Sequence, residues 1–288
     1  MERIVLVLGG GGVKGVAHVG AWKAILEAGH EVAEVVGTSI GALIGASIAG
    51  GASVEGLEAQ ARALTKTDIV DVNRWAVLPN GIRQQAVFRG LALRSYIERV
   101  LAVKEWTELA IPLGVNAVDL ESGDMVWFGA GGRTDVGLVD AVHASTSLPV
   151  FYPPVRVNAM HLVDGGIIDP LPITRAADRG ATWIIAVHAS AGKKKDARDT
   201  VEKGMIAIHH RVTDIMAWAR RSVVEDAWFG PPITWVRPDV ETYSTFDFDA
   251  VDYFLEEGYR ATRAALEAVA AERPTPTPTP APDPSRPS

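Results

Sequence analysis

The sequence predicts an α/β protein of three layers, α/β/α, built on a mainly parallel central sheet. Three observations predict it. Two apolar runs of β type, Ile4 to Leu8 and Val32 to Val36, alternate with helical stretches over residues 13–28 and 42–49. The runs are continuously apolar, as expected of strands covered on both faces. Each strand leads through a glycine-rich turn into its helix, first at Gly9 to Gly12 and then at Gly37-Thr38-Ser39-Ile40-Gly41.

The elements follow in order. Helix 13–28 gathers Val16, Val19, Ala24 and Ile25 on one side and stops at Gly29. Gly50-Gly51 ends the helix after the second strand, and Ser53 is placed to cap a further helix reaching Leu64. Residues 65–90 have no clean period. They contain Trp75, Pro79-Asn80-Gly81 and Phe88, and form either a plain connection or a cover over a site. A helix spans 91–103. Strands 113–118 and 125–128 are joined by a turn at 121–124, and a short helix at 138–144 is broken by Ser147-Leu148-Pro149. Short strands at 155–157 and 161–163 lead to Asp164-Gly165-Gly166. Strand 183–187, helix 201–227, strand 233–236 and helix 249–271 complete a domain of residues 1–272. Lys193-Lys194-Lys195 reads as a solvated loop. Met205, Ile208, Val212, Ile215, Met216 and Trp218 make a helical stripe that is expected to be core rather than membrane contact. Residues 273–288 carry seven prolines, cannot bury a core, and are expected to be a disordered tail.

Composition narrows the function. With 48% hydrophobic and 22% charged residues, the 288-residue chain has the make-up of a globular protein with a large core. A net charge of −7 argues against nucleic acid as a partner and leaves a neutral lipid surface open. The absence of cysteine removes disulfides, thiolate zinc sites and a cysteine nucleophile. The apolar start is too short for a signal peptide, and no apolar run reaches the ~18 residues of a membrane span, so a soluble, cytoplasmic protein is expected.

Two glycine motifs carry the chemistry. Gly37-Thr38-Ser39-Ile40-Gly41 is G-x-S-x-G between a strand and a helix, the context of a nucleophile elbow with Ser39 at its tip. Gly10-Gly11-Gly12-Val13-Lys14-Gly15 fits G-x-G-x-x-G. As a dinucleotide loop it needs an acidic residue about 20 positions on, at the tip of the second strand. Glu34 lies mid-strand instead. As an oxyanion hole, its backbone N–H groups at a helix start would meet developing negative charge. Both loops belong at the carboxyl edge of a parallel sheet, so they should be neighbours. None of the seven histidines, His18, His30, His143, His161, His188, His209 and His210, stands in a late loop suited to a Ser-His-Asp triad. Asp164, at a strand end before two glycines, is the better base candidate, although Asp-Gly is also a common turn pair.

Four blocks in this order, Gly10 to Gly15, Gly37 to Gly41, Ala144-Ser145-Thr146-Ser147-Leu148-Pro149 and Asp164-Gly165-Gly166, resemble those of the patatin-like phospholipases. Phe248 to Leu266, with Glu257-Gly258-Tyr259, resembles the closing helix of bacterial members. Lys14 stands where many members have Arg, and Asp169 where many have Asn. The resemblance implies the patatin-like fold and a Ser39–Asp164 dyad without histidine. It implies an oxyanion hole at Gly10, Gly11, Gly12 and Val13, with Lys14, Gly15, Gly37, Gly41, Gly165 and Gly166 as motif support and with Ser145 and Ser147 as structural residues. It implies neither a cofactor nor a metal ion. The substrate it implies is a lipid or other carboxylic ester, reached through transient contact with a membrane surface, with a soluble short-chain carboxylesterase as the main alternative.

Overall fold

A computed structural model describes residues 2–77, 84–189 and 197–272. Pro79-Asn80-Gly81, Lys193 to Lys195 and the tail 273–288 lie outside the described residues. Strand β1 (Ile4–Leu8) runs through the middle of an eight-stranded sheet. Its apolar side chains serve two cores at once: Ile4, Leu6 and Leu8 face one, Val5 and Val7 the other. Strands β2 (Val32–Gly37) and β7 (Trp183–Val187) pair with β1 in parallel, and β8 (Ile233–Val236) extends the sheet beyond β7.

The other half of the sheet positions the site. Strand β3 (Leu113–Asp119) starts parallel to β2, then pairs antiparallel with β4 (Met125–Gly129) and β6 (Met160–Asp164), and β6 pairs with β5 (Val155–Val157). Gly114 and Val115 pair with both β2 and β4, and Ala117 and Val118 with both β4 and β6. Since a strand has two edges, β2 and β6 share one edge of β3. They approach from opposite directions. β2 stops opposite Val115 and β6 opposite Ala117. Their carboxyl ends therefore face each other across Asn116.

Helices cover the sheet unequally. On the larger core lie α1 (Ala17–Glu27), α2 (Ile40–Ala49), α3 (Val54–Ala63), α4 (Lys66–Ile69), α5 (Leu91–Val100), α6 (Leu138–Thr146) and α10 (Val251–Glu272). The thinner face is covered by α7 (Ile173–Asp178) with Trp127, Val224 and Trp228. Helices α1 and α10 pack through reciprocal glycines. A Cβ on Gly20 would overlap the Leu255 carbonyl, and one on Gly258 would overlap that of Ala17. This gives Gly258 of the Glu257-Gly258-Tyr259 block a steric reason.

Several boundaries differ from expectation. The helix expected over 13–28 begins as a 3-10 turn at Gly12–Val16, because Gly12 takes a left-handed φ of 64°. The one expected over 201–227 is broken at Gly204, with φ of 83°, into α8 (Ala197–Glu202) and α9 (Met205–Asp226). Residues 65–77 are ordered by local capping. Thr65 and Asp68 form a capping box on α4, and Asp71 accepts the N–H groups of Arg89, Gly90, Leu91 and Ala92 at the start of α5. Ser53 caps α3 through the Gly56 N–H.

The stripe expected to be core is not core. No residue of α9 is buried, and Met205, Ile208, Val212, Ile215 and Met216 are exposed, while Trp218 is half-buried. Helical period shows that the apolar side chains share a face; it does not show which way the face points. Among the described residues, no helix is long and apolar enough to cross a membrane.

Candidate active site

Ser39 stands between β2 and α2 with φ 57° and ψ −126°, a conformation that L residues rarely adopt. Its neighbours have no room for side chains. A Cβ on Gly37 would overlap Gly41 and Ala42, and one on Gly41 would overlap the Leu8 carbonyl. The Thr38 N–H donates to Leu8 O at 3.0 Å, so the elbow is tied to the end of β1, where the glycine loop begins.

Asp164 ends β6 and is 3% exposed. The Ser39 side chain lies beside its carboxylate, and the Gly166 N–H donates to Oδ1 at 2.7 Å. Burial pushes the carboxyl up to about 6, against the pull of Ser39 and the Gly166 N–H, which lower it. The segment 145–147 ties the two residues together: the Ser39 N–H donates to Ser145 Oγ at 2.9 Å, and the Asp164 N–H to Ser147 O at 3.0 Å. Asn116 sits between the two strand ends, and its side chain donates to Asp169 O at 3.1 Å. Thr38 Oγ1 donates to the same carbonyl. A Cβ on Gly165 would overlap Asn116. Asn116 is a buried polar residue in an otherwise apolar strand, and that is the sequence signal that marks it.

The glycine loop lies beside Ser39; a Cβ on Gly10 would contact the serine Cβ. Its four backbone N–H groups are not equivalent. Gly10 donates to Pro170 O at 3.0 Å and Val13 to Thr245 O at 2.8 Å. Those of Gly11 and Gly12 donate to no protein group among the described residues. Ala189 and Thr245 press on Gly11 and Gly12 so closely that a Cβ at either would overlap them, and Gly15 is pressed in the same way by Ile40. Lys14 is buried beneath the loop.

A model of the patatin-like phospholipase family matches residues 6–177. The chain belongs to this family. It is 32% identical over 197 residues to the uncharacterized NTE family protein Rv1063c of Mycobacterium tuberculosis, covering 68% of this chain and 52% of the relative. It is 29% identical over 288 aligned positions to human patatin-like phospholipase domain-containing protein 6, covering 91% of this chain and 20% of that protein. It thus spans about half of the mycobacterial relative and a fifth of the human one. The crystal structure of VipD from Legionella pneumophila shares the fold, with a TM-score of 0.56 at 14% identity over 93% of this chain and 67% of that one.

With the family established, the other candidates find their places. Glu34 is buried in the first half of β2 and ion-paired with Arg3 at 2.6 Å and Arg179 at 2.8 Å, so it offers nothing to a dinucleotide ribose. Burial lowers His18 to about 4, and its Nε2–H donates to Gly9 O at 2.8 Å, a structural role. Burial and Arg94 lower His143 to about 4 as well. His210, which the sequence places merely inside a long helix, lines the same cavity as Ser39 and Asp164 and lies 2.5 Å from Thr245 Oγ1. No group of His, Asp and Glu among the described residues is arranged to hold a metal.

The cavity that contains Ser39, Asp164 and the glycine loop encloses about 1380 Å³ of empty space, including its open mouth. Leu43, Leu57, Leu64, Ile69 and Leu93, from α2 to α5, line it. Of residues 65–90, Ile69 thus reaches the cavity, and Phe88 packs on Phe151, Tyr152 and Phe246 near it.

Proposed function

We propose that the chain is a serine lipid acyl hydrolase that cleaves carboxylic esters of phospholipids or related lipids with a Ser39–Asp164 dyad. The observation that carries this reading is the placement of Ser39, on its strained elbow, beside the buried Asp164 carboxylate in one mainly apolar cavity. Ser39 Oγ attacks the ester carbonyl carbon while its proton passes to Asp164. The carbonyl oxygen becomes an oxyanion and accepts the N–H groups of Gly11 and Gly12, which no acceptor among the described residues occupies. Collapse expels the alcohol, which takes the proton from Asp164, and leaves an acyl-Ser39. Water then attacks the acyl carbon and gives its proton to Asp164. When the acid departs, Ser39 recovers that proton.

The environment of Asp164 suits both proton transfers. A carboxylate near its ordinary value of ~3.9 is a poor acceptor for the serine proton. One raised to about 6 accepts and returns it with less mismatch. The cavity wall supports a long acyl chain over a short one, because its lining outside the dyad and glycine loop is mainly apolar. The family and the name of the human relative give the same substrate class.

A fluorophosphonate probe is expected to label the wild type and not Ser39→Ala; labelling that survives this change removes Ser39 from the mechanism. Asp164→Asn is expected to lower ester turnover about 10²–10⁴-fold. A panel of p-nitrophenyl esters should show kcat/KM rising from short to medium acyl chains. A preference for acetate in that panel would favour the soluble carboxylesterase instead.

A further inference from the structure

We propose that the outer face of α9 docks the chain on a lipid–water interface, an inference that rests on the lipid hydrolase reading of the cavity beneath it. Helix α9 is amphipathic in the inverted sense. Its inner face places His210, Thr213, Asp214 and Ala217, spaced i, i+3, i+4 and i+7, along the catalytic cavity. Its outer face carries Met205, Ile208, Val212, Ile215, Met216 and Val223, all exposed, with Met205 at 76% and Val223 at 68%. A surface helix normally turns its apolar stripe to the core. Here three of the four cavity-facing residues are polar, and the apolar face looks outward.

Charge selects the occupant. The exposed residues of α9 carry one fixed base, Arg220, and one acid, Asp226 at the C-terminal end, although the chain carries 35 acidic residues and a net charge of −7. A near-neutral, apolar face fits a zwitterionic lipid surface, with the apolar side chains reaching the acyl boundary. Position gives the docking a purpose. Helix α9 packs on the turn Gly165–Ile167 that follows Asp164, so a bilayer against its outer face lies next to the cavity.

The test is flotation of the full chain with phosphatidylcholine vesicles, run beside two hydrolysis assays. Wild type and Ser39→Ala should co-float equally. A variant combining Ile208→Gln, Val212→Gln, Ile215→Gln and Met216→Gln should lose at least tenfold in vesicle binding and in hydrolysis of vesicle-borne phospholipid. It should keep wild-type turnover of soluble p-nitrophenyl butyrate, which also shows that it folds; none of the four side chains lines the cavity. Equal flotation of the variant and the wild type overturns the proposal. So does a wild type that fails to float but sediments as a dimer which the variant dissociates, since the face then belongs to a second copy. If the wild type floats and hydrolyses neither substrate, docking stands and the hydrolase reading falls.

Discussion

Ser39 and Asp164 are each held in a state that an isolated residue would avoid. The φ of 57° at Ser39 is a conformation that costs on the order of 1–3 kcal/mol for a residue with a Cβ. Glycine adopts it freely. Ser39→Gly is therefore expected to abolish ester hydrolysis and raise the melting temperature, as read by thermal denaturation; a lower one would mean that the elbow stores no strain. Asp164 is strained electrostatically. Its carboxyl stands near 6 in the folded chain against an ordinary value of 3.8. Between those pH values the folded state binds the proton more readily than the unfolded one, so stability falls as pH rises through that window and the loss is complete above it. Asp164→Asn removes this term and keeps an acceptor for the Gly166 N–H. The variant should gain stability over the wild type above pH 6, by about 3 kcal/mol at most, and little below pH 4. A stability difference that does not change with pH would contradict the buried, raised carboxyl. Asp169, which burial also raises to about 6, is present in both proteins and cancels in the difference.

Among the elements, the α1–α10 contact is the most sensitive to a single atom. Both helices approach through glycine, and the space for a Cβ at Gly20 or Gly258 is already filled by backbone of the partner helix. Backbone cannot rotate away as a side chain can, so Gly258→Val should separate the helices and destabilise the chain by about 1–3 kcal/mol or more. Chemical denaturation reads this, and unchanged stability would mean that the two helices are free to slide. Glu257, the residue before it, holds the Asp239 N–H at 2.8 Å and Arg260 at 2.7 Å. The same short block thus ties α10 to the segment that follows β8.

At the scale of the molecule, two strands converging on Asn116 join the proposed nucleophile, Ser39, to the proposed base, Asp164, 125 residues further along the chain. The pH dependence of kcat/KM should then follow one buried carboxyl: low at acid pH, half-maximal near 6 and flat above, because Asp164 must be ionised to take the serine proton. Asp169→Asn should leave this midpoint in place. If that substitution moves the midpoint and Asp164→Asn does not lower turnover, the base has been assigned to the wrong aspartate.

The parallel half of the sheet, the elbow at Ser39 and the glycine loop were legible in the sequence, because each depends on local rules: continuous apolar strands and turns where only glycine fits. The proposed pairing of Ser39 with Asp164 was suggested by the order of four blocks, since spacing along the chain says nothing about distance in space. Only the tertiary structure decided the rest. It divided the glycine-loop amides into two that are engaged, at Gly10 and Val13, and two that meet no acceptor among the described residues, at Gly11 and Gly12, because the carbonyls of Pro170 and Thr245 arrive from far along the chain. It tied Ser145 and Ser147 to Ser39 and Asp164, and it turned the apolar stripe of α9 outward although its period is that of a core helix. Sequence determines which groups share a face or a turn; what that face meets is settled by segments remote along the chain.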